Sequence, residues 1–174
     1  MDNLNSNNSN NTNKTMLWIA GGCLALIVCG LAVAVFGFGG LMWLGIQSPE
    51  NAAVNVNAPL NAGVGDDIQI QISITNTSSE PMELASIDFS LNYLNGFNVY
   101  RVEPPYSETS QYDALGGGET FQTYYFNRAI APGETLVIVF EAQAILAGDF
   151  SGTVDICIDS DFNCISNIPR TVVK

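Results

Sequence analysis

The stretch DDIQIQISITN, residues 66–76, constrains this chain most, because its alternation leaves almost no choice of secondary structure. Ile68, Ile70, Ile72 and Ile74 fall on one side, and Gln69, Gln71, Ser73 and Thr75 on the other. A period of two marks a strand with one buried and one solvated face; a helix would scatter those isoleucines around its axis. The same rule recurs in LASIDFSLNYL, where Ala85, Ile87, Phe89, Leu91 and Tyr93 point inward and Asp88, Ser90 and Asn92 outward. FNVYRVE, TFQTYYF, TLVIVFEAQAIL and GTVDICID follow, with shorter runs at AAVNVN and PRTVV. Turn chemistry separates them: Pro132-Gly133 fits the centre of a type II turn, and Gly116-Gly117-Gly118 marks a flexible tip. Seven or eight short strands over residues 53–174 predict an all-β fold, an antiparallel β-sandwich.

The N-terminal part obeys different physics. Residues 1–15 are nearly all Asn, Ser and Thr and cannot bury enough apolar surface to offset their ordering entropy, so a disordered polar tail is expected. Residues 16–46 carry no charge and exceed the roughly 20 apolar residues needed to cross a bilayer. They read as one transmembrane α-helix preceding the sandwich. Trp18 and Trp43 would lie about 37 Å apart along it, one at each membrane interface. A cleaved signal peptide ending near Ala32-Val33-Ala34 is the rival reading, but the apolar run continues well past that point. Lys14 precedes the helix and no cation follows it until Arg101, which favours a cytoplasmic N-terminus and an extracytoplasmic C-terminal domain on a single-pass cell-membrane anchor. Residues 47–52 would be the linker. Cys23 and Cys29 sit about 240° apart around such a helix and cannot bond to each other. Gly30 and Ala34 form a small-xxx-small pair through which two helices could associate as a homodimer.

Charge and residue types exclude several functions. The net charge of −12 would be repelled by phosphates, so nucleic acid is not expected as a partner, whereas the lipid bilayer is. The chain has no histidine, which removes Ser-His-Asp catalysis and His-ligated zinc or iron. A two-carboxylate glycosidase remains conceivable on paper, but scattered acids on an acidic sandwich read as solvated surface, and no enzyme and no cofactor are expected. Aromatic residues concentrate between Tyr93 and Phe126. Consecutive Tyr124 and Tyr125 must face opposite sides of a strand, and Tyr106 and Tyr112 lie in PPYSETSQYDALGGGE, read as a long loop. These four tyrosines are the binding candidates, set against ordinary packing under that loop.

Cys157 and Cys164 are the cysteines outside the apolar run, and an exported domain sits in an oxidising compartment, so a disulfide between them is expected. Strand parity places Cys157 on the outer face with Asp155 and Asp159, and the bond would clip a hairpin across IDSDFN. The same loop offers a calcium reading, because Asp159, Asp161 and Asn163 match the first oxygen positions of an EF-hand. The pattern then breaks, with Cys164 where Gly is required and Arg170 where the bidentate Glu belongs. The preferred reading has no metal, the acids capping a turn through their own backbone.

Two segments, VGDDIQIQISITNTSSEPMEL and APGETLVIVFEAQAILAGDFSGTVDI, resemble the immunoglobulin-like repeats of prokaryotic cell-surface proteins, including the CARDB type. In those repeats a GD precedes a strand ending in TN, and a late PGE turn leads into a closing strand. The resemblance spans residues 54–173, and a cohesin-like module is a cousin reading. It implies an immunoglobulin-like sandwich serving adhesion or ligand presentation. The chain departs from antibody domains, having no Trp after Trp43 and cysteines too close together to bridge two sheets. The expected function is thus a membrane-anchored extracytoplasmic binding or adhesion module without catalysis, its partner an unidentified protein or glycan. A glycan-binding module or a small accessory subunit of a membrane complex is the alternative.

Overall fold

A computed structural model describes residues 49–114 and 118–174. The polar tail, the apolar run with Trp18, Trp43, Gly30 and Ala34, and Gly116-Gly117 of the expected tip lie outside the described residues. Among the described residues no helix is long and apolar enough to cross a membrane.

Alternation becomes structure in β3 (Asp67–Asn76), whose four isoleucines are all buried. It pairs antiparallel with β1 (Ala52–Asn57) and with β8 (Thr135–Ala144), and β8 pairs with β5 (Phe97–Glu103), giving the order β1-β3-β8-β5. A second sheet combines β4 (Met82–Ser90), β6 (Glu108–Asp113), β7 (Thr120–Ile130), β10 (Val154–Ile158) and β11 (Cys164–Asn167) in the order β11-β10-β4-β7-β6, all antiparallel. A small third sheet, from β2 (Asn61–Ala62), β9 (Gly148–Ser151) and β12 (Arg170–Val173), has one parallel pairing, β2 with β12. The fold is all-β, and the two larger sheets form a sandwich.

Aromatic rings join those sheets across the core. Phe89 of β4 meets Phe140 of β8 edge-on with centroids 4.8 Å apart, and Tyr124 of β7 meets Phe140 at 5.1 Å. Phe150 and Val173 bring the third sheet into the same cluster. Each large buried side chain contributes roughly 1.5–3 kcal/mol, so this inner layer carries the stability. Gly96 is required by packing: a Cβ there would stand 2.5 Å from the Phe150 ring. The Pro132-Gly133 turn forms as expected, with the Glu134 N–H donating to the Ala131 carbonyl at 3.0 Å and Gly133 at φ 74°.

Several expectations need correction. Twelve strand segments are present among the described residues rather than seven or eight, because short pieces such as β2, β9 and β11 are defined by backbone pairing, which side-chain alternation does not report. The stretch read as a long loop contains β6, an edge strand whose polar side chains on both faces hid its ladder with β7. The strand read through Tyr93 stops at Ser90, whose Oγ accepts the Asn92 N–H and caps a single helical turn, α1 (Leu91–Leu94). A bulge in β4 leaves Ala85 unpaired toward β10, so Leu84 enters the core cluster where alternation had placed Ala85.

Candidate functional site

The outer face of the five-stranded sheet follows from register. Cross-strand partners share a face, so Asp155, Asp88, Thr123 and Ser110 form one row, running β10 to β6. Cys164, Cys157, Ser86, Tyr125 and Glu108 form the next. Ser90, Phe121 and Tyr112 lie on the opposite flank. Small polar residues therefore occupy the middle, and larger side chains rise at the sides. The result is a groove of about 610 Å³ with Tyr112 and Phe121 on one flank, Tyr125 on the other, and Phe162, 82% exposed, among its lining.

Its floor is polar yet closed off from bulk water. Asp88 is 4% exposed, Ser86 1% and Thr123 1%. The Tyr112 hydroxyl donates to Asp88 Oδ2 at 3.2 Å, and the disulfide sulfur of Cys157, which has no hydrogen to give, lies 3.8 Å from the same oxygen. Asp88 Oδ1, Ser86 Oγ and Thr123 Oγ1 have no hydrogen-bond partner of acceptable geometry. Leaving such groups unpaired costs about 1–3 kcal/mol each, and native proteins carry few of them.

Electrostatics sharpens the contrast. Burial pushes the Asp88 carboxyl above the usual aspartate range, and Asp155 adds repulsion. The Tyr112 hydroxyl that donates to it, and the Ser86 and Thr123 hydroxyls that lie close to it but outside good hydrogen-bond geometry, only partly offset this. Asp155 is pushed up chiefly by burial, against the Ser166 hydroxyl that hydrogen-bonds it. Tyr112 is driven up by burial and then by the Asp88 charge it faces. Asp113 and Asp161 also border the groove, and no described Lys or Arg lines it. Arg101 pairs with Glu103 and Glu141, and Arg170 with Asp149.

The candidate residues from the sequence divide. Tyr124 and Tyr125 do face opposite sides: Tyr124 is core, its hydroxyl pushed by burial up to about 12, while Tyr125 looks into the groove. Tyr106 packs edge-on against Tyr124 with centroids 5.2 Å apart, on the inner side, whereas Tyr112 stacks on Phe121 at 5.3 Å on the outer side. Tyr106 and Tyr112 thus do not build one platform. Cys157 and Cys164 are bonded, directly opposite each other in the ladder. Parity put Cys157 on the outer face, where it is, but it is fully buried there, bonded to Cys164 and beside Asp88.

The carboxylate of Asp159 accepts the Glu83 N–H at 2.8 Å, and the Asn163 amide donates to the Ile158 carbonyl at 3.2 Å. Asn163 closes its own turn as expected, whereas Asp159 reaches across to the backbone of β4 instead of capping the turn it sits in. Among the described residues no three His, Cys, Asp or Glu converge as a metal site. Sequence reasoning missed Ser86, Asp88, Thr123 and Asp155 as a site. The available signal was the short polar outward set of SIDFS, which a solvated strand face would more readily fill with Lys or Glu.

No family model matches the sequence, and no curated protein matches it. Solved structures do match, at low identity. AvmM, which catalyses macrocyclization in alchivemycin A biosynthesis, aligns at 10% identity and TM-score 0.50 over 74% of this chain and 92% of its own. The alkylpurine DNA glycosylase AlkC of Pseudomonas fluorescens aligns at 10% identity and TM-score 0.43, over 71% of this chain but 30% of that one. A CARDB domain of Pyrococcus furiosus, solved with di-metal ions, aligns at 12% identity and TM-score 0.39, over 74% and 93%. At such identities a likeness speaks for fold alone.

Proposed function

We propose that this protein is a non-catalytic binding module with an immunoglobulin-like sandwich, held outside the cell membrane by one helix at residues 16–46, and that the groove is its binding face. The observation carrying this is the unpaired trio of Asp88 Oδ1, Ser86 Oγ and Thr123 Oγ1 on a closed floor. Buried polar atoms without partners favour an incoming group that pairs them. The uncharged apolar run supports the anchor, and the Cys157–Cys164 bond supports an oxidising compartment. Catalysis is disfavoured by placement: Asp88 and Asp155 stand side by side on adjacent strands of one floor, whereas glycosidase carboxylates flank the scissile bond. A glycan reading draws on Tyr112, an exposed ring held flat by stacking on the buried Phe121, as a surface for a sugar ring.

In-cell photo-crosslinking tests this. With p-benzoylphenylalanine at position 125, the full chain should give a discrete adduct on intact cells, identified as protein or glycan by mass spectrometry. At position 137, exposed on β8 of the other sheet, it should give none. Equal labelling from both positions, or none from 125, defeats the reading.

A further inference from the structure

The groove's own chemistry selects among ligands, and the selection rests on the groove being the binding face. Asp88 and Asp155 are directly opposed cross-strand partners, an arrangement of like charges that destabilises a sheet. Asp113 and Asp161 add acidity at the border, and no described cation lines the groove. Whatever relieves this floor brings positive charge. We propose that the groove binds a primary ammonium group on an apolar stem, with Asp88 and Asp155 as counter-charges, Ser86 and Thr123 as further acceptors, and Tyr112, Phe121 and Tyr125 flanking the stem.

Three competing ligand classes fit less well. A guanidinium gains its advantage from a bidentate grip on both oxygens of one carboxylate, but Asp88 Oδ2 is taken by the Tyr112 hydroxyl and packed against the disulfide, leaving Oδ1 alone. An ammonium has three donors and no acceptor, which matches one carboxylate oxygen and two hydroxyl oxygens left unpaired beside it. Calcium requires six to eight oxygens around one point, and the described residues hold no such convergence of acids. A neutral sugar would pair hydroxyls with the floor but leave the Asp88–Asp155 repulsion untouched. The aromatic wall adds cation–π attraction, which a sugar cannot use.

Calorimetric titration of the full chain in non-ionic detergent tests the assignment. n-Pentylamine and Nα-acetyl-lysine methylamide should bind, and the uncharged 1-pentanol and Nα,Nε-diacetyl-lysine methylamide should bind about tenfold more weakly or worse. Asp88→Asn and Asp155→Asn should each weaken amine binding by a comparable factor, with Glu80→Gln, remote from the groove, unchanged. Tighter binding of the lysine derivative points to a lysine-bearing chain, and tighter binding of pentylamine to a free amine; both support the ammonium. Equal binding of charged and uncharged probes, amine binding unaffected by Asp88→Asn, or no amine binding at millimolar concentration overturns it. Binding of methyl glucoside or calcium that Asp88→Asn abolishes would overturn the ammonium while keeping the groove as a site. The crosslink from position 125 decides the broader reading separately.

Discussion

The two faces of β4 are buried almost equally and for opposite reasons. On the inner face Ile87 and Phe89 touch apolar neighbours from both sheets, and every contact lowers the free energy of the fold. On the outer face Ser86 and Asp88 are just as hidden, yet beyond the Tyr112 hydroxyl on Asp88 Oδ2 their hydrogen bonding is incomplete, with Ser86 Oγ and Asp88 Oδ1 left without a partner of good geometry. Burial is therefore no guide to role by itself. What separates packing from a site is whether the buried group is satisfied.

Four changes would break or sharpen this comparison. The largest effect should come from the inner face, where Phe89→Ala removes a ring that meets Tyr93, Tyr124 and Phe140 and should cost about 3–5 kcal/mol in denaturant unfolding. If Phe89→Ala costs under about 1 kcal/mol, the inner layer is not the stabilising one. Next is the clip at the outer edge: replacing Cys157 and Cys164 together by Ser should lose about 2.5 kcal/mol in the loop-entropy description, and reducing agent should have the same effect on the native chain.

The third change should have the opposite sign. Asp88→Asn removes a buried charge while keeping its shape, and should stabilise the chain at neutral pH by on the order of 1 kcal/mol. The sign follows from linkage. Because burial raises the Asp88 pKa above its ordinary 3.8, the folded chain holds that proton more tightly than the unfolded one. The stabilisation from protonation is complete below that ordinary value and is lost as pH rises through the raised folded value. Native stability measured against Asp88→Asn should thus show the variant's advantage shrinking as pH falls through this window; a constant difference would contradict it. The smallest effect belongs to Tyr112→Phe, which deletes one partly exposed hydrogen bond to Asp88 and should cost about 1 kcal/mol or less while pushing the Asp88 carboxyl further up, as carboxyl NMR titration would show.

Much of the frame was legible from local pattern. Period-two alternation named β3 and the inward Ile87 and Phe89, Pro132-Gly133 named its turn, and the spacing of Cys157 and Cys164 named the clip. These are decided within a few residues, so sequence suffices for them. Edge strand β6 escaped because its stability comes from backbone bonds to β7, and Ala85 was misplaced because a bulge resets parity without any residue-type signature. For the candidate site, alternation correctly turned Asp88 and Asp155 outward and Tyr124 and Tyr125 apart.

By itself, then, the sequence determined the all-β class, the outward direction of Asp88, Asp155 and Cys157, and the exclusion of histidine chemistry, since each depends on residue type and local periodicity. Only the tertiary structure decided that the outward face is closed. That depends on which strands lie side by side: register sets Asp155 beside Asp88, and Asp88 beside Thr123, across strands distant in the chain, and the edge hairpin brings Tyr112 over them. Pairing between remote segments is a global outcome of the fold, and no local pattern encodes it.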